Sequence, residues 1–312
     1  MIDLIGKLFA GQRVDQNSGG RLAHFEKWLD GIPAEIQFWR HYLGNQGHDF
    51  HEDFSFRLRP DTEIRARDNK LASALWSMDV PRIRLLDVGA GPITNLGKKL
   101  AGVEIEIVAC DPLADVYKSL LDENSTTPPV YTKFADAENL SEFFGWGTFG
   151  AVHCANALDH SYDPLNGILE MLKVISARGF VQLGHWENEA EYEEYEGFHQ
   201  WNFTEQDGDF VIWNRGARFS LRERMREYLD ITVWRKPVRA NSRDWIVVQF
   251  WKKPGADKFL KKVRTNLREK YQFMSTRVTA AEEGGAVEGA NDLARRYHAL
   301  FRGVLRDRFI NG

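Results

Sequence analysis

The sequence predicts an open α/β sheet with helices on both faces, plus an N-terminal helical extension and a C-terminal helical hairpin. Three observations predict it. Leu85, Leu86 and Val88 form a short apolar run that breaks at Gly89-Ala90-Gly91, a strand followed by a turn whose backbone carries few Cβ atoms. Three more short apolar runs follow, at 104–109, 130–134 and 149–153, each leading into small or acidic residues. Residues 245–251 (WIVVQFW) are continuously apolar, as a strand buried on both faces is.

The chain has 312 residues, 43% of them hydrophobic, enough for one large domain with appendages. Its formal net charge of −4 and pI near 6.2 do not indicate whole-protein attraction to nucleic acid. The two cysteines, Cys110 and Cys154, fall at predicted strand ends, which argues against a disulfide framework and fits a reducing cytoplasm. No apolar run reaches the roughly 20 residues that span a membrane. The start, MIDLIGKLFAG, reads as an amphipathic docking helix and lacks the basic flank and long apolar stretch of a signal peptide.

Taken in order, residues 1–81 form the helical extension. Helices are expected over 21–29 and, behind Pro33, over 34–43. Residues 54–58 alternate as an extended segment would, and 66–78 reads as a helix. His41, His48 and His51 lie near Asp49, Glu52 and Asp53, in a spacing that matches no metal pattern. The central domain, 82–253, opens with the first strand. Asp87 sits at that strand's carboxyl end, where an open sheet keeps its ligand, and a helix is expected from 94 to 100. Thr94 stands where a dinucleotide fingerprint would place its third glycine. Asp111, about 20 residues past the turn, suits ribose hydroxyls. A helix over 164–175, a fifth strand at 180–183 and strands at 210–213 and 231–234 complete the domain.

LLDVGAGP, VACDP, FADAENL and AVHCANALDH, in that order, resemble the successive motifs of class I S-adenosylmethionine-dependent methyltransferases over roughly residues 82–183. The resemblance implies a Rossmann-like seven-stranded sheet, closed by an antiparallel strand, and S-adenosylmethionine as cofactor. It implies that Asp87, Gly89, Ala90 and Gly91 lie at the cofactor's methionine part and that Asp111-Pro112 meet the ribose. Asp136 and the Ala137 backbone would meet the adenine, and Asn156 and Ala157 would flank the methionine end. Pro92-Ile93 departs from the family, where many members keep a further glycine. The N-terminal extension would cap the cofactor.

His160 follows the fourth strand directly and is the first candidate base, with Asp159 to orient it or share its proton and His185 as the second candidate. Similar acid–His pairs in quinone-pathway O-methyltransferases include an upstream glutamate and can bind a divalent metal. Asn156 stands at that place here, and no metal is expected. The loop after the fifth strand commonly faces the acceptor in this family. Trp186, His199, Gln200, Trp201 and Asn202 are the substrate candidates, because flat rings beside amides suit sugar hydroxyls. The acidic run from Glu189 to Glu194 reads as a solvated face. GFHQWNF also resembles a signature of bacterial methyltransferases of surface-polysaccharide pathways. The expected activity is therefore O-methylation of a sugar hydroxyl in a glycan or its precursor. An N-methyltransferase is the rival, and a cofactor-binding subunit without its own chemistry is a reading of another class.

Residues 254–312 read as two amphipathic helices, 258–271 and 292–309, around Gly284-Gly285. The pair is expected to pack on the domain or on a second copy. Its basic face is a candidate for contact with an anionic membrane or a phosphate-bearing acceptor.

Overall fold

The computed structural model describes residues 18–238 and 243–263. Ser18–Gly44 (α1) is one helix through Pro33, where two were expected. Proline removes one ladder hydrogen bond. Phe25, Trp28, Leu29, Ile32, Ile36 and Leu43 recur at helical spacing and are all buried, so a single apolar face holds both halves. His51–Leu58 (α2) is helical rather than extended. Phe54 and Leu58 fit either period, and both pack on the α1 cluster from one side of a helix. The helix expected over 66–78 is divided into Ile64–Arg67 (α3) and Asn69–Ser77 (α4). Asp68 leaves helical geometry between them and caps α4, its carboxylate accepting the Leu71 N–H at 2.9 Å.

Arg82–Val88 (β1) and Glu104–Asp111 (β2) are joined without a helix, a correction to the helix expected over 94–100. The Thr94 hydroxyl donates to Asp87 and accepts the Leu96 N–H at 3.1 Å. The Lys98 and Lys99 N–H groups both donate to the Thr62 carbonyl, at 2.6 and 3.0 Å. Backbone donors that a helix would use internally are spent tying this loop to the segment before α3. Ala114–Glu123 (α5), Thr132–Phe134 (β3), Leu140–Phe144 (α6) and Phe149–Ala155 (β4) follow. Pro164–Val174 (α7) has Pro164 in its first turn and Asp163 as its cap, the carboxylate accepting the Asn166 N–H at 3.1 Å. Ile175–Trp186 (β5) and Glu189–Tyr192 (α8) come next, then Asn202–Gln206 (β6), Asp209–Trp213 (β7) and Arg218–Ser220 (β8). Leu221–Met225 (α9), Leu229–Val238 (β9), Arg243–Lys252 (β10) and Ala256–Leu260 (α10) end the described chain.

The main sheet has seven strands in the order β3-β2-β1-β4-β5-β10-β9. β1 to β5 run parallel, and β10 is antiparallel to both neighbours. This is the seven-stranded Rossmann-like sheet that the motifs imply. β6, β7 and β8 form a separate antiparallel sheet whose Phe203, Phe210 and Phe219 join the main core. β1 lies between β2 and β4, so strand order reverses there. An open α/β sheet leaves its crevice beyond the strand ends at that point. The remainder of the expected C-terminal hairpin lies outside the described residues. Among those residues no helix is long and apolar enough to cross a membrane.

Candidate functional site

A cleft of about 490 Å³ opens beyond the carboxyl ends of β1, β2 and β4. Every expected cofactor residue lies on it: Asp87, Gly89, Ala90, Gly91, Asp111, Pro112, Asp136, Ala137, Asn156 and Ala157. Gly89 and Gly91 have φ of +67° and +64°, which L side chains rarely adopt. A Cβ on Gly89 would lie 2.4 Å from the Ala157 Cβ, and one on Gly91 would lie 2.6 Å from the Trp39 ring. The loop is therefore pinned between the β4 end and α1.

The N–H groups of this loop are already spent. Gly89 and Ala90 donate to the Cys110 carbonyl at 2.9 and 3.1 Å, and Gly91 donates to the Asp111 carboxylate at 3.2 Å. Asp111 also accepts the Leu113 N–H at 2.9 Å. Burial pushes the Asp111 carboxyl up to about 7; the two N–H donors pull the other way, and the Glu35 charge adds to the rise. Asp87 is tied below the loop by Thr94 and by His153 at 2.8 Å. Asp136 accepts from Asn139 and from the Tyr162 hydroxyl. The Asn156 Oδ1 is buried without a hydrogen-bond partner.

The sequence reading missed part of the lining. Glu35, Glu189 and Glu193 join Asp87, Asp111, Asp136 and Glu138 in the cleft wall, against Arg57 as the one lysine or arginine among its described residues. Trp39 is also in the wall; its indole N–H donates to Glu35 at 2.7 Å. Glu189 was expected on a solvated face but is buried and paired with Arg243. Burial pushes its carboxyl up to about 7, with Asp159 adding and Arg243 opposing.

At one end of the cleft the chain brings together Asp159, His160 and His199. Asp159 is fully buried. His199 Nδ1 lies 2.8 Å from Asp159 Oδ2, and His160 Nε2 lies 3.4 Å from the same oxygen. Burial alone would raise the Asp159 carboxyl, but His160, His199 and His185 outweigh it and hold it at about 2. Burial lowers His199, yet its bond to Asp159 and the charges of Asp159, Glu189 and Glu193 leave it above its ordinary value. The acid–His contact expected within Asp159-His160 is thus shared, and its shorter half belongs to His199.

His185 is 1% exposed, outside the cleft, with both ring nitrogens unpartnered, and burial pushes its imidazole down to about 4. That placement removes it as a base acting directly on an acceptor. Four of the five substrate candidates also stand outside the cleft. Trp186 meets Trp245 edge-on at 5.1 Å. Gln200 is buried and bonded to His24 at 3.0 Å. Trp201 donates its indole N–H to the Ser161 carbonyl at 3.0 Å, behind the wall. Asn202 is wholly buried, accepting from the Glu191 N–H and donating to the Tyr195 hydroxyl. Of those candidates only His199 lines the cleft; the other four are engaged in packing or internal hydrogen bonds. His41, His48 and His51 do not converge on a metal-binding point.

No protein-family model and no curated protein matches this sequence. Among solved structures, the 1,6-didemethyltoxoflavin-N1-methyltransferase of Burkholderia thailandensis, with bound 1,6-didemethyltoxoflavin and S-adenosylhomocysteine, is similar. Identity is 15%, over 69% of this chain and 87% of that one, with a TM-score of 0.38. A possible histamine N-methyltransferase of Thermotoga maritima gives 16%, 58%, 88% and 0.35 in the same order. Phosphoethanolamine N-methyltransferase 2 of Haemonchus contortus gives 13%, 76%, 49% and 0.37. Likeness at that level carries no functional inference, and the residues of this chain have to supply it.

Proposed function

We propose that this chain transfers a methyl group from S-adenosylmethionine to an oxygen of a small acceptor. One observation supports it above others: a buried, under-donated carboxylate, Asp111, faces an acid-lined cleft whose glycine-loop N–H groups are already consumed. A dinucleotide or nucleoside triphosphate needs free N–H groups or cations for its phosphates. Seven carboxyl groups against one arginine oppose such a ligand. A nucleoside carrying sulfonium and ammonium charges suits the same wall.

In this reading Asp111 accepts both ribose hydroxyls, which is what a carboxylate with two backbone donors and spare lone pairs can still do. The unpartnered Asn156 Oδ1 accepts from the ammonium group, and the Ala137 backbone meets the adenine. When bound, the cofactor supplies an electrophilic methyl on sulfur. Trp39 covers the glycine loop and excludes water from that end. His160 and His199, held by the buried Asp159, take the acceptor's hydroxyl at the other, and holding the reactants in line supplies much of the rate. Glu189 and Glu193 flank His199 and favour a cationic amine as the second acceptor class.

The test is transfer of labelled methyl to panels of hydroxyl and amine compounds, alongside calorimetric titration with S-adenosylhomocysteine. Homocysteine-nucleoside binding and label on hydroxyl acceptors, both weakened in Asp111→Ala, support the proposal. Label confined to amines selects the second reading. Binding of NAD in place of the sulfur nucleoside overturns both.

A further inference from the structure

We propose that Asp159, His160 and His199 form a binding site for a divalent first-row transition-metal ion, which activates the acceptor's hydroxyl in the methyl transfer proposed above. Two independent observations lead there. The first is spacing. Asp159 Oδ2 lies 2.8 Å from His199 Nδ1 and 3.4 Å from His160 Nε2, and one ligand atom of each residue lies within 4.8 Å of the others. Ligands about 2.0–2.1 Å from one ion at octahedral or tetrahedral angles stand roughly 2.9–3.4 Å apart. The two distances from Asp159 lie at or close to that range, and the imidazole nitrogens are no more than 4.8 Å apart.

The second is unpaired polarity. Asp159 Oδ1, His160 Nε2 and both ring nitrogens of His185 are buried with no hydrogen-bond partner. His185 Nδ1 lies 4.0 Å from Asp159 Oδ1, behind the cluster. A buried polar group without a partner is unfavourable, and Asp159 Oδ1 and His160 Nε2, with His185 Nδ1 behind them, stand together in that state. An ion in front of Asp159 engages the His160 and His199 nitrogens. A small turn of the carboxylate brings Oδ1 onto His185, which then orients it.

The donor set selects the ion. Two imidazoles and one carboxylate suit zinc, iron, cobalt or nickel, whereas magnesium and calcium favour oxygen alone. Three protein ligands leave coordination positions free, and His160 and His199 both line the cleft, so those positions face the acceptor. The ion acts as a Lewis acid that lowers the hydroxyl's pKa. The proton passes to solvent, a C–O bond forms as the C–S bond breaks, and sulfur keeps the electron pair.

The experiment is titration of chelator-stripped, untagged protein with Co(II), followed by visible absorption, with and without S-adenosylhomocysteine. One Co(II) per chain is expected, weakened at least about tenfold in His160→Gln and in His199→Gln, with melting temperature as the folding control. X-ray absorption on the wild type reads the ligands directly, so the outcome stands even where a variant fails to fold. Two imidazoles in the first coordination sphere support the site. An all-oxygen sphere, no binding, or binding unchanged in both variants overturns it. Nucleoside binding without Co(II) rejects the metal alone. Co(II) bound through two imidazoles without nucleoside binding keeps the site and rejects the methyl-transfer reading.

Discussion

Replacing Asp111 with asparagine keeps the side chain's shape and removes its charge. Its carboxylate accepts Gly91 N–H at 3.2 Å and Leu113 N–H at 2.9 Å, and it is 8% exposed. Two donors on a buried carboxylate leave acceptor capacity for a diol, and bonds to a charged acceptor contribute about 1.5–3 kcal/mol. Losing that increment lowers affinity for S-adenosylhomocysteine roughly 10- to 150-fold, at about 1.4 kcal/mol per tenfold. The wild type should also show a pH signature. Burial raises this carboxyl from 3.8 to about 7. Between those values the folded chain holds a proton that the unfolded chain has lost. Asp111 therefore subtracts stability progressively as pH rises through that window, and no further above it. Ribose hydroxyls favour the ionised form, so affinity should climb over the upper part of the window and level off above about 7. Calorimetric titrations across this range, on wild type and Asp111→Asn, measure both effects. A variant with native melting temperature and unchanged affinity, or a wild type with flat pH dependence, would refute the role of Asp111.

Three further outcomes follow from the same contacts. Gly89→Ala meets the Ala157 Cβ at 2.4 Å and a φ of +67°; urea unfolding should show a loss of at least about 1–3 kcal/mol, partly restored by adding Ala157→Gly, which removes the clash and leaves the strained backbone. Thr94→Val keeps the shape but takes one donor from Asp87 and the acceptor from Leu96 N–H; the expected cost is about 1–3 kcal/mol in the same assay. Trp201→Phe loses the bond to the Ser161 carbonyl and should lower melting temperature while leaving the acceptor's KM unchanged. A raised KM at native stability would return that ring to the substrate surface.

Much of this molecule is local in sequence. Each of β1 to β4 is a short apolar run ended by residues that reach the cleft, so Asp87, Gly89 and Asp111 could be placed from order along the chain, and Asp136 and Asn156 through the motif resemblance. Period and length failed where a residue fits two patterns. Phe54 and Leu58 serve a strand or a helix face equally, and packing on α1 decided for the helix. The expected helix over 94–100 gave way to side-chain and backbone bonds from Thr94 and Thr62, which compete for the same backbone groups.

The succession of the parallel strands along the chain, the glycine turn and the acidic residues at the strand ends were determined by the sequence itself, because each depends on neighbours a few positions away. Only the tertiary structure decided which aromatic and acidic residues reach the cleft. His199 enters while Trp201 and Asn202, two and three positions on, are buried in the wall. Glu35 and Trp39 arrive on α1 from more than 50 residues before Asp111, Glu189 comes in through its pairing with Arg243, and Asp159 collects imidazoles from three separate segments. Those placements are set by burial and by long-range pairing of charge, which residue type and spacing along the chain do not encode.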